Sequence, residues 1–251
     1  VLKGGSSREW QGYTTATSHD VSTAIPVALV SKKGHAKKGI VTEFIDGSML
    51  DITPSDFFLY CFGKELRKLH AIIVPGYGYC KNSLPQFRSA QEYQNFWLGK
   101  ILPVIEKSVD TYPLFKDLHD NASLTIYAGQ PVFIHKDARP YNAIVDQDNI
   151  RLIDFESWQG GDPMEELAIS LFSWITSDGD ANQFRHVMDG YFRDKNITDH
   201  QRTLIDYYLL FRAFRLVKLA EDDGSPQVPK RYQNLHKIVA FITSEQIYKI
   251  R

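Results

Sequence analysis

The sequence predicts an α+β fold, with a small antiparallel, β-rich part ahead of a larger helical part. Three observations carry that expectation. Short β-branched runs broken by glycines occupy roughly the first 45 residues. From about residue 53 onward, apolar residues recur at steps of three and four. The 251 residues are 43% hydrophobic, enough to bury a substantial core in one large domain or two small ones.

Each element follows from local chemistry. Val1-Leu2-Lys3, ending at Gly4-Gly5, reads as a strand. Arg8 to Ala16 has the spacing of a short helix, weakened by its Thr-rich end. The runs Pro26 to Val30 and Ile40 to Ile45 flank the basic stretch Lys32 to Gly39 and predict a hairpin, which Asp46-Gly47 ends. Thr53 is placed to cap a helix with Pro54 at its first position, and Phe58, Phe62, Leu66 and Leu69 then share one face. Pro75 to Pro85, rich in Gly, Pro, Tyr and Asn, reads as a loop. Ser89 and Glu92 form a capping-box pair for a helix through Phe96, Leu102 and Ile105, with a kink expected at Pro103. Residues 125–134 are mixed and end in the apolar Pro131-Val132-Phe133-Ile134. Asp162, Pro163 and Glu165 open a helix carrying Leu167, Leu171 and Trp174. Thr198 with Gln201 caps another that runs to about Ala220, and Pro229 to Ile250 has the pattern of a final amphipathic helix.

Composition narrows the function. Lys plus Arg number 29 against 30 Asp plus Glu, a net charge of −1, which argues against a nucleic-acid or membrane-surface partner. Cys61 and Cys80 are too few for a disulfide framework or a Cys-rich zinc site, and point to a reducing, cytoplasmic setting. No apolar run approaches the roughly 18 residues of a membrane span, and no signal-peptide pattern opens the sequence. Residues 154–223 hold 14 acidic and 7 basic side chains, whereas residues 224–251 hold 1 acidic and 5 basic. Two solvated helix faces account for such a split; the functional alternative is an acidic wall facing a cationic substrate.

The chemistry concentrates between His135 and Pro163. Ala143-Ile144-Val145 and Ile150-Arg151-Leu152-Ile153 read as strands joined by the turn Asp146-Gln147-Asp148-Asn149. A hairpin centred near residue 148 sets Asn142 and Asp154 opposite one another, within reach of Asp137 on the preceding loop. Two carboxylates and an amide oxygen make a hard-oxygen set suited to Mg²⁺ and polyphosphate and unsuited to zinc.

The pattern His135-Lys136-Asp137, then Asn142, then Ile153-Asp154-Phe155 resembles the catalytic loop and metal-binding turn of protein-kinase-like enzymes. Within them it is most similar to the aminoglycoside phosphotransferase family. Gly161-Asp162-Pro163, Glu166-Leu167-Ala168, Leu66-Arg67-Lys68-Leu69-His70 and the hinge-like Thr42 to Gly47 extend the resemblance over about residues 40–175. It implies a two-lobed protein-kinase-like fold. Residues 1–46 would form the nucleotide-binding lobe and hinge, truncated because the family's Gly-rich loop would lie before Val1. Residues 47–251 would form the catalytic and substrate-binding lobe.

The same resemblance implies roles for single residues. Asp137 would accept or orient the proton of the attacking hydroxyl. Asn142 and Asp154 would hold Mg²⁺ on the phosphates of ATP, with GTP as the other candidate nucleotide. Lys3 would bind the α- and β-phosphates with Glu9 as its partner, and the backbone of Glu43, Phe44 and Ile45 would meet adenine. His135 would hold the loop through its ring. Lys136, where the family usually has Gly, either reaches the transferred phosphate or points to solvent. Arg139 aids the phosphate or pairs within the loop, and Glu156 contacts metal or substrate or lies on the surface. Asp162 fits a helix cap better than a ligand. The activity implied is an ATP-dependent kinase of a small-molecule hydroxyl, with the acidic stretch favouring an amine-bearing acceptor such as an aminoglycoside or choline. The alternative is a non-catalytic nucleotide-binding pseudokinase or scaffold. Eight residues between Asp154 and Pro163 are too few for the activation loop of a protein kinase.

Overall fold

Strand β1 (Leu2–Gly5), strand β2 (Pro26–Ser31) and strand β3 (Lys38–Thr42) pair antiparallel in the order β1-β3-β2, as their β-branched and Gly-rich sequences predict. The computed structural model describes residues 2–31, 38–50, 55–81, 84–126, 129–177, 183–193 and 195–244. Most of the basic stretch joining β2 to β3 lies outside them. Between β1 and β2 runs helix α1 (Ser7–Ser18), capped by the Ser6 side chain, which accepts from the Glu9 N–H at 3.1 Å.

Two further sheets serve the larger part. Strand β4 (Ser48–Met49), strand β8 (Ala143–Asp146) and strand β9 (Asn149–Leu152) form one, in the order β4-β8-β9. The other runs β6-β5-β10-β7, with β5 (Tyr77–Lys81), β6 (Leu84–Phe87), β7 (Val132–Ile134) and β10 (Gln159–Gly161). This second sheet corrects the loop expected from Pro75 to Pro85. Its glycines serve close strand approach: Gly78 of β5, at φ +74°, faces Gly160 of β10, so the residues that signal a loop here form a ladder.

Helix α2 (Asp56–Leu69) starts on Ser55, whose hydroxyl accepts from the Phe58 N–H at 3.3 Å, so Thr53 is not the cap; Thr53 and Pro54 lie outside the described residues. Helix α3 (Ala90–Lys107) begins at Ser89 as expected, but the Glu92 carboxylate returns to the Arg88 N–H at 2.8 Å. Pro103 sits inside it without ending it. Helix α5 (Pro163–Thr176) is capped by Asp162, and helix α7 (Asp199–Asp222) carries the full Thr198–Gln201 capping box. Helix α8 (Val228–Thr243) ends the described fold. Helices α4 (Tyr112–Ile126) and α6 (Phe184–Phe192) were not anticipated from the sequence pattern.

The core of the large part forms around α7, whose Ile205, Tyr207, Leu209, Leu210, Phe214 and Val217 are fully buried on nearly every side. Helices α2 and α6 pack so closely that a Cβ at Gly63 would meet the carbonyl of Val187, and one at Gly190 would meet that of Tyr60. No described helix is long and apolar enough to cross a membrane.

Candidate active site

The β8–β9 hairpin sets the geometry. Its register pairs Ala143 with Leu152, and the Ile153 N–H donates to the Asn142 carbonyl at 2.9 Å. Asn142 therefore opposes Ile153, and Asp154 lies one residue beyond the position expected, because Gln147-Asp148 closes the hairpin as a two-residue turn. Asp154 takes left-handed backbone angles (φ 69°, ψ 56°), and its N–H donates to the Tyr13 hydroxyl of α1 at 2.8 Å. A non-glycine residue there carries about 1–2 kcal/mol of strain, which such anchoring must offset.

The preceding loop is locked from beneath. His135 is fully buried, and its Nε2 donates to the Ile153 carbonyl at 2.8 Å. Burial lowers its pKa, so the ring is neutral and ties the loop to the hairpin, as the sequence implied. Lys136 is also left-handed (φ 71°), which explains why Gly is usual at this place in the motif. Here both oxygens of the buried Glu166 accept from its N–H, at 2.9 and 3.1 Å. The Lys136 ammonium turns inward, pairs with Glu165 and reaches the Tyr93 hydroxyl at 3.1 Å. Neither role foreseen for it, phosphate contact or solvent, is the one observed.

Asp137 stands at the junction. The Asn142 amide donates to its carboxylate at 2.9 Å and to its carbonyl at 2.8 Å, while Arg139 pairs with it at 2.6 Å. Of the two readings of Arg139, the ion pair within the loop is therefore the one seen. Because the amide nitrogen of Asn142 is used, its oxygen is the end left for a cation.

Asn142 and Asp154 line one cavity of about 350 Å³ between the N-terminal sheet, α1 and the hairpin. Ile40, Ala24, Ile144 and Ile153 supply apolar wall, and the buried Glu9 of α1 lines the same space. Glu43, Phe44 and Ile45, expected to meet adenine through their backbone, also line it. However, the Glu43 N–H already donates to the Ile25 carbonyl at 3.0 Å, and its carboxylate pairs with Arg151 at 2.6 Å. That N–H is spent and cannot serve adenine. Lys3 lies in β1 opposite Ile40, with its side chain outside the described residues. Glu156 is exposed and outside the cavity, so the surface reading holds for it.

Helix α1 is clasped to the turn after Asp154. Arg8 donates to the carbonyls of Ser157 at 2.7 Å and Trp158 at 2.9 Å, and Trp158 Nε1 returns a bond to the Arg8 carbonyl at 2.6 Å. The rings of Tyr13 and Phe155 meet edge-on at 5.0 Å.

Among the described residues, the acidic side chains of the 154–223 stretch that lie near the loop or end α7 are engaged by other groups. Glu165 is engaged by Lys136 and Tyr93 and lies 3.6 Å from Arg215, and Glu166 is spent on the backbone of Lys136 and Ala138. Asp222 pairs with Lys218, and Glu221 accepts from Tyr232 at 3.0 Å. Asp162 caps α5 through the Met164 N–H at 2.8 Å, and burial pushes its carboxyl up to about 6. Tyr13, Tyr93, Arg212 and Arg215 escaped the sequence reading.

Among the described residues, no group of three or more His, Cys, Asp and Glu side chains could hold a metal alone. The Asn142 oxygen and Asp154 carboxylate suit an ion that takes most of its ligands from phosphate and water, which is how Mg²⁺ binds.

Over residues 15–203 the sequence matches the phosphotransferase enzyme family. No curated protein matches it. Among solved structures, it is similar to a thermostable mutant of aminoglycoside phosphotransferase APH(4)-Ia in ternary complex with AMP-PNP and hygromycin B, at TM-score 0.66 and 14% identity, covering 94% of this chain and 82% of that one. A choline/ethanolamine kinase family protein from Mesorhizobium loti aligns at TM-score 0.66 and 15% identity over 94% and 78%. The amicoumacin kinase hAmiN, in complex with AMP-PNP, Ca²⁺ and Ami, aligns at 0.61 and 15% over 96% and 78%. At such identities these likenesses establish a shared kinase-like, two-lobed α+β fold.

Proposed function

The chain belongs to the phosphotransferase enzyme family, and from that premise we propose that it moves the γ-phosphoryl group of ATP to a hydroxyl of a small molecule. The observation that carries the reading is the contact of Asp137 with Asn142, which borders a cavity shared with Asp154 and Glu9. The apolar wall suits a base, and the polar end suits phosphates. Residues 1–46 supply most of the nucleotide side, and residues 47–251 supply the catalytic loop and the acceptor side.

Asn142 and Asp154 would hold magnesium, which neutralises charge shifting toward the leaving oxygen of ADP. Lys3 and Glu9 serve the α- and β-phosphates from the N-terminal part, and the backbone at Phe44 and Ile45 meets the base. Asp137 orients the acceptor hydroxyl and takes its proton as the new oxygen–phosphorus bond forms and the bond to the β–γ bridging oxygen breaks. Little basicity is required, since the transition state is loose and positioning dominates. His135 contributes by fixing the loop, because its buried neutral ring is committed to Ile153.

Thermal unfolding with and without MgATP tests this reading, for the wild type and for Asp154→Asn. At about 100 times the dissociation constant the ligand stabilises by roughly 2.7 kcal/mol, or about 5–10 °C for a chain of this size. The expected result is an Mg²⁺-dependent shift that shrinks in the variant. No shift in the wild type would overturn the reading.

A further inference from the structure

Outside the nucleotide cavity, the loop at Lys136 and Arg139 and helix α7, with Arg212 and Arg215, bring four cationic side chains to the Asp137 and Glu165 region. Lys136, Arg139 and Arg215 all have carboxylate partners, in Glu165, Asp137 and Glu165 respectively. Arg212 of α7 does not. Among the described residues it makes no hydrogen bond or ion pair, and its buried Nε–H has no acceptor. Asp137 is its strongest attractive charge, with Glu165 also attracting it, while Arg215 and Arg139 repel it. Those two carboxylates are already engaged by other side chains, and Glu166 is engaged by backbone.

Resting on the phosphotransferase reading above, we propose that the acceptor is an anionic hydroxy compound whose oxyanion group seats on Arg212, next to the Asp137 that receives the hydroxyl. Among the described residues, the four cationic side chains Lys136, Arg139, Arg212 and Arg215 face the carboxylates of Asp137 and Glu165, while Glu166 and Asp162 behind them are committed to backbone N–H groups. A cationic acceptor would enter against that excess, whereas an oxyanion takes the two-pronged geometry that a guanidinium offers. The Phe172 ring centroid lies 5.5 Å from the Arg212 guanidinium, a contact with the ring that gives the buried Nε–H no hydrogen-bond acceptor. Burial lowers the pKa of Arg212 to about 10, so the group remains charged at neutral pH, attracted by Asp137 and Glu165 but without an ion pair of its own among the described residues.

The test uses the protein saturated with Mg-AMP-PNP, so that the γ-phosphate position is filled. Unfolding temperature is followed while glycerate or glycerol 3-phosphate is titrated, against glycerol, choline and ethanolamine at equal ionic strength. The expected result is a rise with the anions alone. Glycerate responding by itself would indicate a carboxylate acceptor, and glycerol 3-phosphate by itself a phosphate-bearing one. Arg212→Gln should weaken the apparent anion affinity by about 10- to 100-fold, and Arg212→Lys, which keeps the charge without the fork, by less. Stabilisation by choline, ethanolamine or glycerol equal to that by the anions overturns the proposal, as does the absence of any anion effect or an anion effect unchanged in Arg212→Gln. Failure of Mg-AMP-PNP itself to bind is a separate result that removes the kinase reading.

Discussion

The two sides of Asp137 are built differently. The proposed nucleotide side is a largely apolar cavity with a few polar groups, positioned by backbone: a two-residue hairpin turn, a left-handed Asp154 and the clasped helix α1. The proposed acceptor side is a dense set of charges from α5, α7 and the loop at Lys136, gathered around the Tyr93 hydroxyl of α3. The difference teaches where generality and specificity reside. A nucleotide common to many enzymes needs a few groups at fixed chain spacing, whereas a particular acceptor is recognised by side chains that meet only after helices pack.

Asp137 joins the two sides, so the largest expected effect is there. Asp137→Asn should lower the rate of ADP release in the presence of an acceptor by about 10²–10⁴-fold. Transfer at the wild-type rate would show that the two sides meet elsewhere.

Next in size is Glu166, on the acceptor side. Burial pushes its carboxyl from 4.5 up to about 7. The folded state thus favours the protonated form, and this contribution to stability is fully present below pH 4.5 and lost as the pH rises through 7. Urea unfolding from pH 4 to 8 should show the wild type losing on the order of 3 kcal/mol relative to Glu166→Gln over that window. The groups common to both proteins, among them Asp206, raised to about 7, and His70, lowered to about 3, cancel in the difference. Parallel pH curves would mean that the carboxylate is stabilised by its backbone N–H partners after all.

The smallest effect is expected on the nucleotide side. Tyr13→Phe removes the hydroxyl that accepts from the Asp154 N–H. It should cost about 1–2 kcal/mol in chemical denaturation, and weaken MgATP binding more than acceptor binding. Equal losses on both sides would blur the distinction between them.

This asymmetry also decides how much could be read in advance. His135, Asp137, Asn142 and Asp154 were legible because a hairpin fixes their relation within twenty residues of chain, although the register placed Asp154 one residue further than expected. The caps Asp162 and Thr198 were legible for the same local reason. Strands β5 and β10 were hidden because Gly marks a loop unless a partner strand comes near, and these two, which pair with each other, lie about 80 residues apart. Strand β6 was hidden behind the Pro and Gly of the hairpin it forms with β5. Arg212 and Tyr93 were hidden because nothing local distinguishes them from an ordinary helical arginine and a core tyrosine. Their surroundings, Lys136 beside Tyr93 and Asp137 and Glu165 near Arg212, come together only in the fold.

The clasp between α1 and the Trp158 segment bears on how the cleft moves. Helix α1 belongs by sequence to the N-terminal part, yet Arg8, Trp158 and Tyr13 fasten it to the large part, and the Leu152 N–H to Ser22 carbonyl bond holds the chain just beyond it. Glu9 and Asp154, which line the same cavity, therefore sit on one packed unit. A hinge between α1 and the three-stranded sheet would leave their separation unchanged, so the distance between the two acidic groups is set by the clasp and not by the sheet.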